Sequence, residues 1–313
     1  YRGTHMTLTV TPLKNIGAEV SGFDITQPLS EAVQQELRDL WYEYGLLLFR
    51  GQAITPENQI EFSRIFGPLE LHPLKVKTSD KYPELFVLEN GTEKDQHMLA
   101  HYNGETIVGR LDWHMDLHYT ARPNHGAVLT AVQVPSSEGL TGFGDLAMAW
   151  ESLDEETRTL LEKLEVAYSF SMQRKHMRYV NLEGYEPGEN LPRKPSDIGF
   201  PDFADAVYPA VVTHPVSGRK VLEIVEQFLD RVITPQKFGL SNDESIELLE
   251  RLVAHTRKPE FHYFHQWQEG DMILWDNWRI MHCATGTPPG VRRVINRTTI
   301  MGEVTLGRVL DGE

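Results

Sequence analysis

The octapeptide Asp112-Trp113-His114-Met115-Asp116-Leu117-His118-Tyr119 sets an imidazole and a carboxylate two residues apart. On a strand, side chains at i and i+2 project from one face, so His114 and Asp116 would offer two adjacent ligand positions to a metal ion. The triplet alone carries little weight, because 13 histidines and 45 carboxylates in 313 residues give roughly two His-x-Asp/Glu triplets by chance. A second stretch, residues 270–303, adds to it. It supplies His282 between an apolar run and a Gly/Pro turn, then a strand in which Arg293, Ile295, Arg297 and Thr299 share one face. If that face is interior, two buried cations need compensation, and carboxylates arriving on ligands provide it. On a solvated face the same arginines would pair with the chain's own acids. Two histidines and one carboxylate form the facial triad that leaves three positions open on Fe(II). They would also suit a zinc hydrolase, or a cupin-like protein that binds metal without oxygenase chemistry; the hydrolase leaves both arginines unexplained.

The rest of the chain must position those residues. Length and a 40% hydrophobic content are ample for a packed core. Thirty Lys and Arg against 45 Asp and Glu give a net charge of −15, which argues against a general nucleic-acid or anionic-membrane binder. The lone Cys283 excludes an intrachain disulfide framework and suggests a cytoplasmic setting. No window approaches a transmembrane run. Tyr1 to His5, ahead of Met6, are expected to be a vector remnant.

Helix ends are well marked. Ser30 caps a stretch with Val33, Leu37, Leu40, Trp41 and Tyr44 at helical spacing, and Gly45 stops it. Thr55-Pro56 opens a helix ending near Gly67, Asp154 precedes one carrying Leu160, Leu161 and Leu164, and Ser241 with Glu244 forms a capping box. Short β-rich runs lie between: Leu46 to Phe49, Ala127 to Val134, Val166 to Phe170, Tyr208 to His214, Asp271 to Trp275 and Arg293 to Met301. They never settle into a βαβ alternation, so the reading is a mainly β sandwich or barrel decorated by helices. Gly184 to Phe203, with four prolines and no periodicity, is a long excursion suited to a lid or a surface loop.

In order and spacing, "IGAEVSGFD" (16–24), "FGPLELHP" (66–73), "WHMD" (113–116), "THPVSGRK" (213–220), "LWDN" (274–277) and "RRVINRTTIMGE" (292–303) resemble the taurine and 2,4-dichlorophenoxyacetate dioxygenases of the Fe(II)/2-oxoglutarate-dependent superfamily. The resemblance covers nearly the whole chain. It implies a single dioxygenase domain over 6–313, a double-stranded β-helix with flanking helices, and Fe(II), 2-oxoglutarate and O2 as cofactor and co-substrates. It implies further that His114, Asp116 and His282 ligate iron. Arg293 would bind the distal carboxylate of 2-oxoglutarate with help from Thr141. Arg297 and His72 would hold the anionic head of the prime substrate, and Leu117 would line the pocket. Retention of Asp116 disfavours halogenation.

Two departures from the taurine enzymes, Lys75 in place of a tyrosine and Arg110 in place of an asparagine, point away from taurine and, if they face the site, toward a substrate with more charge or more acceptors. Segments near 75–112 and 184–207 are candidate lids. The expected reaction is hydroxylation of a small to medium anionic organic molecule, with carbon–heteroatom cleavage as a possible sequel, by a homo-oligomer of two or four chains.

Overall fold

Leu46-Leu47-Leu48-Phe49 is buried at all four positions, which a strand achieves only when packed layers cover both of its faces. In a computed structural model that describes residues 7–71, 81–92, 95, 98–189, 191, 192, 194–199 and 201–310, those layers are a second sheet and a pair of helices. Strands are numbered in chain order. Among the described residues the larger sheet has eight: Thr9–Pro12 (β1), Ala18–Ser21 (β2), Leu46–Phe49 (β3), Met272–Asp276 (β18), Gly126–Gln133 (β9), Arg293–Ile300 (β20) and Leu69–Glu70 (β4) in that order, with Leu85–Asn90 (β5) also paired to β20. The smaller runs His262–His265 (β17), Thr141–Asp145 (β10), Ile280–Ala284 (β19), Leu111–His114 (β8).

Residues alternate between the layers as a period of two demands. Leu46 and Leu48 of β3, Ile273 and Trp275 of β18 and Ile295 of β20 meet Phe143 and Ile280 of the smaller sheet. Leu47, Phe49, Met272 and Leu274 turn the other way, onto Val33, Leu37 and Trp41 of helix α1 (Glu31–Tyr44) and Phe62 of α2 (Pro56–Arg64). This is the β-sandwich core of a double-stranded β-helix, as expected. The face of β20 that carries Arg293 and Arg297 is the inner one. Thr298, on the outer face, contacts Ser63 of α2 at 2.6 Å.

A second core gathers around Leu229–Val232 (β16), Glu165–Tyr168 (β11), Ala206–Pro209 (β13) and Arg308–Val309 (β21), covered by α4 (Glu155–Leu161) and α5 (Asn242–Thr256). Tyr185–Pro187 (β12), Leu99–Tyr102 (β6) and Glu105–Val108 (β7) make a small third sheet, and Val211–Thr213 (β14) pairs with Lys220–Leu222 (β15).

Caps fall where the sequence put them: Ser30, Thr55, Asp154 and Ser241 each accept a backbone N–H of their helix, and Gly45 closes α1 with φ 71°. Several elements differ. Helix α4 ends at Leu161, so Leu164 lies beyond it. Helix α2 ends at Arg64, three residues short of Gly67. The run from Tyr208 to His214 is two strands, because the Ala210 N–H turns to Leu164 and its carbonyl to Glu223, carrying the chain from one sheet to another. Helix α3 (Leu146–Glu151), capped by Asp145, is too short to show a period. The candidate lid at 75–112 is not one loop, since it contains β5 of the main sheet, β6 and β7. The excursion from Gly184 contributes β12 to that same small sheet.

Candidate active site

Strands β8 and β19 are antiparallel neighbours with His114 opposite His282, and the two rings stand 4.0 Å apart. His282 lies within β19 rather than after an apolar strand, and His114 is the last residue of β8. Asp116 therefore does not share a strand face with His114, as its spacing suggested; it sits on the turn that follows. Asn277 brings it back. Its Oδ1 accepts the Asp116 N–H at 2.8 Å, and its Nδ2 donates to the Asp116 carbonyl at 3.0 Å. Leu117, next in the turn, takes φ 56°, a strained value for a side chain of its size. The result is that Asp116 Oδ1 lies 3.7 Å from His114 Nε2, and Oδ2 lies 3.7 Å from His282 Nε2.

Chemistry favours a cation at this meeting point. His114 Nδ1 donates to the Asp112 carbonyl at 2.8 Å, so its proton is fixed there and Nε2 offers a lone pair toward Asp116. Burial lowers the pKa of both histidines and keeps them neutral. Burial alone would raise Asp116, but the Arg297 guanidinium beside it outweighs that and holds the carboxyl well below the usual range. Two neutral imidazoles and one ionised carboxylate fit Fe(II) with further positions open.

A second buried set, His125, His214 and Asp276, has the same composition but does not fit. His214 Nδ1 accepts the N–H groups of Val216 and Ser217 at 3.2 and 3.0 Å, which leaves the proton on Nε2, 2.8 Å from Asp276. That set ties the "THPVSGRK" hairpin to the "LWDN" turn, and through Asn277 it steadies Asp116.

Across the gap, β20 offers its two arginines. Arg293 is buried; its Nε donates to the Gly139 carbonyl at 3.2 Å and its Nη2 to Thr141 Oγ1 at 3.3 Å. Trp267 Nε1 also donates to Thr141 Oγ1, at 2.9 Å, fixing the hydroxyl in place. Gly139 has φ 72°, and a Cβ there would stand 2.9 Å from Arg293 Cδ, so glycine lets the two segments approach. Burial lowers the Arg293 pKa to about 10, and no carboxylate of the described residues offsets it. A buried cation without a counter-ion marks a place for an incoming carboxylate. Arg297 differs: its Nη2 is 2.7 Å from Asp116 Oδ2, and its Nε is buried without a partner among the described residues.

A cavity of about 90 Å³ opens between them, walled by His114, Asp116, Leu117, Tyr119, Phe228 and Arg297. Leu117 and Arg297, both expected at the substrate pocket, line this cavity. Arg110 does not line this cavity; it lies in an adjoining recess. His72 and Lys75 fall outside the described residues. Asn277, Trp267, Gly139 and Phe228 were not singled out in the sequence, although Asn277 belongs to the quoted "LWDN"; Tyr119 closes the octapeptide that holds His114 and Asp116.

Residues 9–299 match the family described as "Taurine catabolism dioxygenase TauD, TfdA family". The (S)-phenoxypropionate/alpha-ketoglutarate-dioxygenase of Sphingobium herbicidovorans is 31% identical over 295 residues, which cover 94% of this chain and 95% of that one. The alpha-ketoglutarate-dependent 2,4-dichlorophenoxyacetate dioxygenase of Cupriavidus pinatubonensis is 28% identical, covering 96% of this chain and all of its own. Among solved structures, a taurine dioxygenase from Burkholderia xenovorans superposes with a TM-score of 0.73 at 25% identity, covering 98% of this chain and 95% of that one.

Proposed function

This chain belongs to the TauD, TfdA family of Fe(II)/2-oxoglutarate-dependent dioxygenases, and from that premise we propose that His114, Asp116 and His282 hold its iron and that it hydroxylates a small to medium organic anion. With the family established, the metallohydrolase and cupin-like readings fall away. When bound, iron and 2-oxoglutarate supply the O2 activation that oxidises an aliphatic C–H bond, with release of succinate and CO2. The protein's share is placement, charge and exclusion of water.

Support comes chiefly from Arg293, a buried guanidinium with no counter-ion among the described residues, which donates to Thr141 on the strand next to the one that carries His282. In this reading it takes the distal carboxylate of 2-oxoglutarate, and Thr141 Oγ1 assists. Arg297 takes the anionic head of the prime substrate, exchanging its contact with Asp116 for one with the ligand. Tyr119, Leu117 and Phe228 close the apolar side of the cavity and keep bulk water away. The relatives' names, phenoxypropionate and 2,4-dichlorophenoxyacetate dioxygenases, favour a carboxylate attached through an ether oxygen, whose hydroxylated carbon would then lose the heteroatom.

Succinate release from the Fe(II)-loaded enzyme with phenoxyacetate, 2-phenoxypropionate, alkyl sulfates and alkanesulfonates tests the reading. At least one anion should stimulate turnover, with a raised KM in Arg297→Ala. Stimulation by neutral compounds only would contradict it.

A further inference from the structure

The cavity beside the metal ligands, at about 90 Å³, is smaller than an ordinary small-molecule site. On the far side of Phe228, whose ring borders both spaces, lies a recess of about 300 Å³, the size of an ordinary small-molecule site. Phe228 has φ 67°, a conformation that a bulky residue adopts only under constraint. Its ring packs 5.0 Å from Phe170 and 5.3 Å from Tyr119, so one aromatic surface runs from the small cavity into the recess.

The far end of that recess is cationic. Arg174 lies between the rings of Tyr102 and Tyr185, 5.1 and 4.6 Å from their centroids, and reaches Asp112 at 2.5 Å. Its Nε and Nη1 are buried without hydrogen-bond partners among the described residues. Arg110 also lies over the Tyr102 ring, 4.5 Å from its centroid, is exposed in the recess, and feels the charge of Asp112 without a carboxylate at ion-pair distance among the described residues. Asp112 is the carboxylate lining this space, so two guanidinium groups face one acid. A register shift interrupts β8 between Leu111 and His114, and from Arg110 to His114 the chain spans at most roughly 13 Å.

We propose that this recess is a distal subsite for the prime substrate, and that it takes the far anionic end of an elongated aromatic molecule whose near anion meets Arg297. Arg110 reads the distal charge; Phe170 and Phe228 hold the ring between. The inference rests on the dioxygenase reading above and narrows its substrate class to molecules with an acid group at each end.

The test uses Mn(II)-loaded protein under argon, titrated calorimetrically first with 2-oxoglutarate, then with phenoxyacetate or with 4-carboxyphenoxyacetate, which differ only in the distal carboxylate. Wild-type protein should bind the diacid at least about tenfold more tightly. Arg110→Gln should collapse that ratio to near one, and Arg110→Lys should restore part of it. Equal affinities in the wild type, a ratio that survives Arg110→Gln, or no binding of either acid would overturn the distal subsite while leaving the dioxygenase reading intact. Failure of the first step, with no Mn(II)-dependent binding of 2-oxoglutarate, would instead remove the reading on which the subsite rests.

Discussion

Asn277 grips the backbone of Asp116 from both sides, accepting its N–H at 2.8 Å and donating to its carbonyl at 3.0 Å, although 161 residues separate them in the chain. The same Nδ2 reaches the Asn124 carbonyl at 3.1 Å. The carboxylate of the candidate triad is thus placed by a tertiary clamp rather than by its own strand. Asn277→Ala should leave the protein folded but weaken Mn(II) binding on the order of 10–100-fold, the range seen when groups that orient metal ligands are removed. Equilibrium dialysis checks this; unchanged affinity would mean that the turn holds Asp116 unaided.

Arg293 is buried, and no carboxylate of the described residues compensates its charge. Arg293→Met should therefore cost the ligand-free protein little, because it removes a cation that burial penalises. It should abolish the rise in Tm that 2-oxoglutarate gives the Mn(II)-loaded wild type. A variant that keeps the ligand-induced shift would show that the co-substrate's distal carboxylate binds elsewhere.

Asp145 and Arg279 are a buried pair of a different kind, bonded through Nε at 3.1 Å and Nη2 at 2.6 Å. Asp145 also caps α3, and Arg279 Nη1 donates to the carbonyls of Tyr42 and Glu43 at the end of α1. Asp145→Ala leaves the guanidinium without its counter-ion and should destabilise the fold by about 3–5 kcal/mol, read by urea unfolding. A loss under about 1 kcal/mol would contradict the pairing.

Glu223 is fully buried, and burial pushes its carboxyl up to about 8. Neighbouring His118, with Nε2 3.2 Å from Glu223 Oε2, is pushed down to about 3 by the same burial. Unfolded, the carboxyl releases its proton near 4.5, so between about 4.5 and 8 the folded chain holds a proton that the unfolded chain has lost. Its contribution to stability therefore falls as pH rises through that window. His118 opposes this only below about 6.5. Glu223→Gln should accordingly gain Tm relative to wild type between pH 6.5 and 8, measured by thermal scans. Parallel Tm profiles for the two proteins would show that the carboxyl is already ionised in the fold.

Legibility in the sequence followed the range of the interactions. Ser30, Thr55, Asp154 and Ser241 announce helices because a cap is satisfied within three residues. That Arg293, Ile295 and Arg297 share one face of β20 was readable from a period of two, whereas the burial of that face was not. The position of Asp116 was not, since nothing near it in the chain specifies the Asn277 clamp. Nor was the side of Phe228 on which Arg110 falls, which depends on how β6, β7 and β12 fold beside the second core. The triad itself was visible only through the order and spacing of motifs along the whole chain.

The most direct test of the site is an anaerobic titration of the apoprotein with Fe(II) and then 2-oxoglutarate, followed by visible absorption. The weak charge-transfer band of an iron-chelated 2-oxo acid should grow to saturation in the wild type. His282→Ala should not produce it. Iron demonstrably bound in the wild type with no such band would contradict the assignment of His114, Asp116 and His282 as the dioxygenase centre.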